Sequence, residues 1–159
     1  MEDMIFKIYN ETIGFLQASG YLANIISKNG TNLLTCSSAY TVNYVFACEL
    51  LLKALCKIYQ IKSGKTHRLV KLFLLLPAEI KITINDEYKS LYKEQFMRKN
   101  ELTLRDLEAC IEAYDNAFVE WRYCYEGFKK QLCLPWIDFK IFVFILKRMV
   151  EKYLDLEIE

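Results

Sequence analysis

The chain has 159 residues, with Lys plus Arg at 21 against Asp plus Glu at 20 and one His, so it carries almost no net field. Strong nonspecific attraction to nucleic-acid phosphates is thereby excluded, and any contact with RNA has to be local. Apolar residues at 53% and aromatics at 14%, with only 5 Gly and 2 Pro, favour long helices over a turn-rich β fold, in one domain whose core covers roughly 70% of the unfolded surface.

Residues 2–28 place Ile5, Ile8, Tyr9, Ile13, Leu16, Leu22, Ile25 and Ile26 near helical spacing and predict one helix, with a possible bend at Ala18-Ser19-Gly20. Thr31 to Thr35 read as a connection. Ser37 or Ser38 then caps a central helix running to about Lys62, along which Ala47, Leu50, Leu51, Ala54, Leu55 and Ile58 make a surface broad enough for burial on more than one side. Ser63-Gly64-Lys65 is a turn, Thr66 an N-cap, and His67 the first residue of a short helix ending at Leu76-Pro77. Residues 78–97 are helical by the spacing of Ile80, Ile84, Tyr88, Leu91, Tyr92 and Phe96, although Lys81-Ile82-Thr83-Ile84 alternates briefly like a strand. Thr103 to Asp106 resemble a capping box opening a helix to about Glu126, ended by Gly127. Pro135 suits the first turn of a last helix from Trp136 to about Leu154. The expected fold is all-α, a single domain over residues 1–159 built as a bundle of about five to six helices.

The six cysteines, Cys36, Cys48, Cys56, Cys110, Cys124 and Cys133, contain no Cys-x-x-Cys pair, and a single His cannot complete a zinc set. No metal and no cofactor is expected. The amino terminus lacks a leader pattern, so a cytoplasmic protein with reduced thiols is expected. The apolar stretches 45–55 and 141–146 are broken by Glu49, Lys53, Lys140 and Lys147, short of the roughly 18 to 20 residues that span a bilayer, so no membrane association is expected. No Glu-x-x-His pair, Walker loop, Gly-x-Gly-x-x-Gly loop or Ser-centred elbow occurs, which sets those enzyme classes aside.

What stands out is charge inside apolar helices. Glu49 and Lys53 share one helix face, and Arg122 and Glu126 repeat their spacing in a second segment, Trp121-Arg122-Tyr123-Cys124-Tyr125-Glu126. Buried charges ask for partners, so Glu49 and Lys53 either reach across to Arg122, Tyr123 and Glu126 in a network that fixes helix register or face a ligand. His67 at a helix start suits a neutral base or acceptor, or else packs at the junction against Glu49 or a backbone carbonyl. Arg122 is the phosphate ligand of choice because its fork matches phosphate oxygens. The basic clusters Lys147-Arg148 with Lys152, and Lys129-Lys130, read first as solvated helix faces.

The run from Asn43 to Leu55, of the type Asn-x-x-x-Ala-x-Glu-Leu-x-x-Lys-Ala-Leu, followed by Gly64-Lys65-Thr66-His67-Arg68-Leu69-Val70-Lys71-Leu72, resembles the HEPN superfamily of small helical-bundle proteins. The segment Arg122-Tyr123-Cys124-Tyr125-Glu126 is similar to a later helix in part of that group. The resemblance implies a helical core, homodimers, and roles in RNA cleavage, RNA or nucleotide binding, or toxin–antitoxin and antiphage systems with an antitoxin or regulatory protein as partner. HEPN ribonucleases carry an Arg followed, after roughly four to six intervening residues, by a His; this sequence has no such pair, so the family's catalytic pair is not transferred. Three functions follow as expectations: a binding or regulatory protein without that pair, a noncanonical metal-independent ribonuclease using His67, Lys53 and Arg122, or an interaction module whose polar network is architecture.

Overall fold

The computed structural model describes residues 2–29, 33–96, 106–117 and 137–156, and every regular element among them is an α-helix. In chain order they are α1 (Glu2–Asn29), α2 (Leu33–Ile58), α3 (Leu69–Leu75), α4 (Ala78–Phe96), α5 (Leu107–Tyr114) and α6 (Ile137–Tyr153). The expectation of an all-α bundle holds, and Lys81-Ile82-Thr83-Ile84 are helical rather than extended.

Helices α1 and α2 form an antiparallel pair. The register is visible in Ser19, whose hydroxyl donates to the Tyr40 carbonyl at 3.3 Å, and in Phe15, whose ring meets Phe46 edge-on at 4.7 Å. On α1 the buried face runs through Ile5, Tyr9, Thr12 and Ser19, a helical stripe that includes three hydroxyl-bearing residues. Thr12 satisfies its hydroxyl on the Ile8 carbonyl at 2.8 Å, so burial leaves no orphan there. Helix α1 runs without a break through Ala18-Ser19-Gly20 and both of its glycines.

Helix α2 is the hub, in contact with α1, α3 and α6. Ala47, Cys48, Leu51, Leu52, Ala54, Leu55 and Cys56 are all buried, which is why its apolar positions run almost without interruption rather than in a stripe. Burial of each large aliphatic side chain contributes about 1.5–3 kcal/mol. Helix α6 packs against it and buries Phe139, Phe142, Ile145 and Leu146, and Phe139 stacks on Tyr114 of α5 at 4.1 Å. Phe142 takes the edge of Phe73 from α3 at 5.9 Å, so one aromatic row joins three helices.

Several boundaries differ from the expected ones. Helix α2 already includes Leu33, so Ser37 is buried inside it rather than capping it. It stops at Ile58 because Gln60 adopts φ 57° and the Ile61 N–H reaches the Cys56 carbonyl at 2.7 Å, a Schellman termination made without glycine. Helix α5 ends at Tyr114 before a turn at Asp115 and Asn116, and residues 118–126 of the expected run lie outside the described residues. The capping-box residues Thr103 to Arg105, together with Gly127, Pro135 and Trp136, lie outside the described residues.

Candidate functional site

Glu49 lies mid-way along α2 and is 1% exposed, an arrangement that a carboxylate tolerates only with partners. Two donors converge on its Oε1. Lys53, one turn on, donates from Nζ at 2.7 Å, and His67, from the connection between α2 and α3, places Nδ1 at 3.0 Å. Glu49 Oε2 is also buried and has no hydrogen-bond partner among the described residues. The two partners are graded in exposure, with Lys53 at 21% and His67 at 55%, so the cluster runs from a sealed carboxylate to an imidazole at the surface.

The position of His67 differs from the expected one. Helix α3 has Arg68 as its N-cap residue and starts at Leu69, so His67 precedes the helix and its backbone belongs to the connection. The helix-dipole argument for a neutral imidazole therefore loses its basis, and what orients the ring is the Glu49 carboxylate. Glu49 accepts from Nδ1–H, and in the neutral ring this tautomer makes Nε2 an acceptor. Thr66 does not cap α3 either; its hydroxyl accepts the Arg68 N–H at 3.2 Å in a local turn.

What holds the connection comes from far along the chain. Arg68 supplies no side-chain cap to α3, and Asp115, just after α5, takes that role by accepting the Val70 N–H on Oδ1 at 2.8 Å. Its other oxygen, Oδ2, accepts from Arg68 Nε. His67 is thus flanked by an anchor on each side, Glu49 from α2 and Asp115 from beyond α5. Gly64, in the left-handed region at φ 64°, gives the turn that brings this strap back to α2.

Of the residues singled out from sequence, Glu49, Lys53 and His67 come together. Arg122, Tyr123 and Glu126, expected opposite them, and the Lys129-Lys130 cluster lie outside the described residues. Sequence reasoning missed Arg68 and the buried Asp115 here, and another buried carboxylate, Glu151, elsewhere. Glu151 on α6 accepts on Oε1 from the Tyr9 hydroxyl and from Lys147 Nζ, both at 2.5 Å, tying α6 to α1. Burial, with the Glu151 hydrogen bond and charge behind it, pushes the Tyr9 phenol well above its ordinary value. Its only local signal was the spacing of Lys147 and Glu151.

Among the described residues no group of three or more His, Cys, Asp and Glu side chains could hold a metal ion, and no helix is long and apolar enough to cross a membrane. No family model matches this chain, and no curated protein or solved structure does.

Proposed function

We propose that this is a HEPN-like cytoplasmic protein that binds RNA or a nucleotide beside His67, without the usual ribonuclease pair. It would work as a homodimer in a defence or toxin–antitoxin setting, with an antitoxin or other regulatory protein as partner. The observation that carries the reading is the pairing of a 55% exposed imidazole with a 1% exposed carboxylate at 3.0 Å. In the neutral ring a carboxylate behind Nδ1 fixes the tautomer in which Nε2 is an acceptor, a chemistry that a ribose hydroxyl matches as donor. Lys53, on the same carboxylate, brings an ammonium with three donors, which suits phosphate oxygens. Hydroxyl and phosphate together describe a ribonucleotide.

The same geometry supports a second reading. An imidazole oriented by a carboxylate is the form in which His takes a proton from a 2′-hydroxyl, and Lys53, with Arg122 as sequence reasoning has it, would stabilise the phosphorane of a metal-independent ribonuclease. One experiment separates these readings from a purely architectural network. Fluorescence anisotropy with an end-labelled RNA pool and with a labelled nucleotide, in chelator, compares wild type with His67→Ala and Lys53→Gln at matched helical circular dichroism. Binding weakened tenfold or more in both variants, with intact RNA on a gel, supports the proposal. RNA cut by wild type and not by His67→Ala makes it an enzyme. No binding by the folded wild type overturns both and leaves an interaction module.

A further inference from the structure

The basic run at Lys147, Arg148 and Lys152 divides once folded. Lys147 turns to Glu151 on the α1 side, whereas Arg148 and Lys152 line a groove of about 510 Å³ between the end of α2, helix α4 and the end of α6. That volume is of the order of a small-molecule site, roughly 300–1,000 Å³. Leu55, Ile58, Ile80 and Met149 line it with apolar surface, and none of them belongs to the Glu49–Lys53–His67 cluster.

Three features give the groove a chemical preference. Tyr59 and Tyr153 both line it and stay 37% and 42% exposed, so two aromatic rings stand in the walls where a flat apolar body can pack. Arg148 is held in place: its Nη1 donates to Glu87 at 2.8 Å and its guanidinium lies 5.7 Å from the Phe144 ring centre. Its Nε is buried and has no hydrogen-bond partner among the described residues, so the guanidinium is under-used as a donor. Lys152, exposed on the same helix one turn beyond, has no ion pair among the described residues, unlike Lys147 and Arg148. With Glu87 the one acid lining the groove, and already spent on Arg148, the lining keeps an excess of positive charge beside an apolar floor.

We propose that this groove binds a small amphipathic anion, a flat or acyl apolar body seated between Tyr59 and Tyr153 with a carboxylate, sulfonate or phosphate head on Lys152 and Arg148. The apolar lining supplies burial and the two cations select charge, so a neutral analogue of the same body binds weakly. This site stands independently of the ribonucleotide reading, because it shares no residue with His67 and its surroundings.

The test titrates the full chain with anilinonaphthalene sulfonate, followed by its fluorescence, and then competes it with decanoate and with adenosine monophosphate to separate an acyl from a nucleotide body. Saturable binding is expected, weakened about fivefold to tenfold by Lys152→Gln and at least as much by Arg148→Gln, with displacement by one of the two competitors and none by decanol or adenosine. Because Arg148→Gln also strands Glu87, Lys152→Gln, at an exposed position, is the variant that decides if the other fails to fold. Probe fluorescence that never saturates, binding that Lys152→Gln leaves unchanged, or displacement by decanol as readily as by decanoate overturns the proposal.

Discussion

Asp115 Oδ1 accepts the backbone N–H of Val70 at 2.8 Å, so a residue following α5 caps a helix that has no cap of its own. The other oxygen of the same carboxylate holds Arg68, the immediate neighbour of His67. The strap that presents His67 is therefore fixed by a contact that sequence spacing does not reveal, and its geometry depends on α5 as much as on α2.

Removing that cap has a cost. Asp115→Ala strands the Val70 N–H and leaves Arg68 without its carboxylate, and a loss of about 2 kcal/mol is expected. Urea denaturation measures it, and the same variant is expected to broaden or shift the His67 ring resonances while those of the α1–α2 pair stay in place. Unchanged stability would mean that water caps α3 equally well.

The Glu49 cluster predicts an order of effects. Lys53→Met leaves a 1% exposed carboxylate with His67 as its one remaining described partner, and about 3 kcal/mol is lost. Glu49→Gln removes the buried charge instead, and both Lys53 and His67 can turn to water, so about 1–2 kcal/mol is lost. Denaturant midpoints of the two variants give the order, and its reversal would show that Glu49 is not the buried member on which the cluster depends.

Tyr9 makes stability sensitive to alkali. Burial, then the hydrogen bond to Glu151 and its charge, raise the folded phenol above its ordinary value of 10.0, so the neutral phenol is the form the fold favours. Its contribution is complete below about pH 10, where the unfolded phenol is also neutral, and falls as pH rises beyond that. Tyr9→Phe is expected to lower stability at neutral pH by about 1 kcal/mol, since Glu151 loses a donor, and to flatten the decline above pH 10. Chemical denaturation at several alkaline pH values checks both, and parallel pH curves for the two proteins would contradict the assignment.

Gly20 offers a gain. It lies inside the continuous α1, and a Cβ built there meets nothing within 4 Å. Gly20→Ala is expected to raise stability by about 0.5–1 kcal/mol by narrowing the unfolded ensemble. A lower melting temperature would show that the position needs glycine for close packing.

The helices were legible because scarce Gly and Pro and the regular spacing of Ile, Leu and aromatic residues are local signals. So was the shared face of Glu49 and Lys53, one turn apart on α2, and the Glu49 contact of His67 was one of the two junction roles open to it. The ends of α2 were less legible: Gln60 adopts the left-handed conformation usually left to glycine, and Ser37 has the chemistry of a cap but is buried inside the helix. Asp115 to Val70 and Tyr9 to Glu151 were out of reach, since these contacts join residues 45 and 142 positions apart and each carboxylate alone looks like an ordinary surface residue.

The most direct test uses the fact that the chain has one His, so the His67 ring gives a single carbon-bound proton signal at Cε1. Carbon–proton correlation spectra would be recorded while a short RNA, and separately a mononucleotide, is added in chelator. A progressive shift of that signal by either ligand, saturating and weakened about tenfold or more by Lys53→Gln, is the predicted result. A signal that stays still while the protein remains folded, at ligand concentrations in the millimolar range, would contradict a ribonucleotide site at His67.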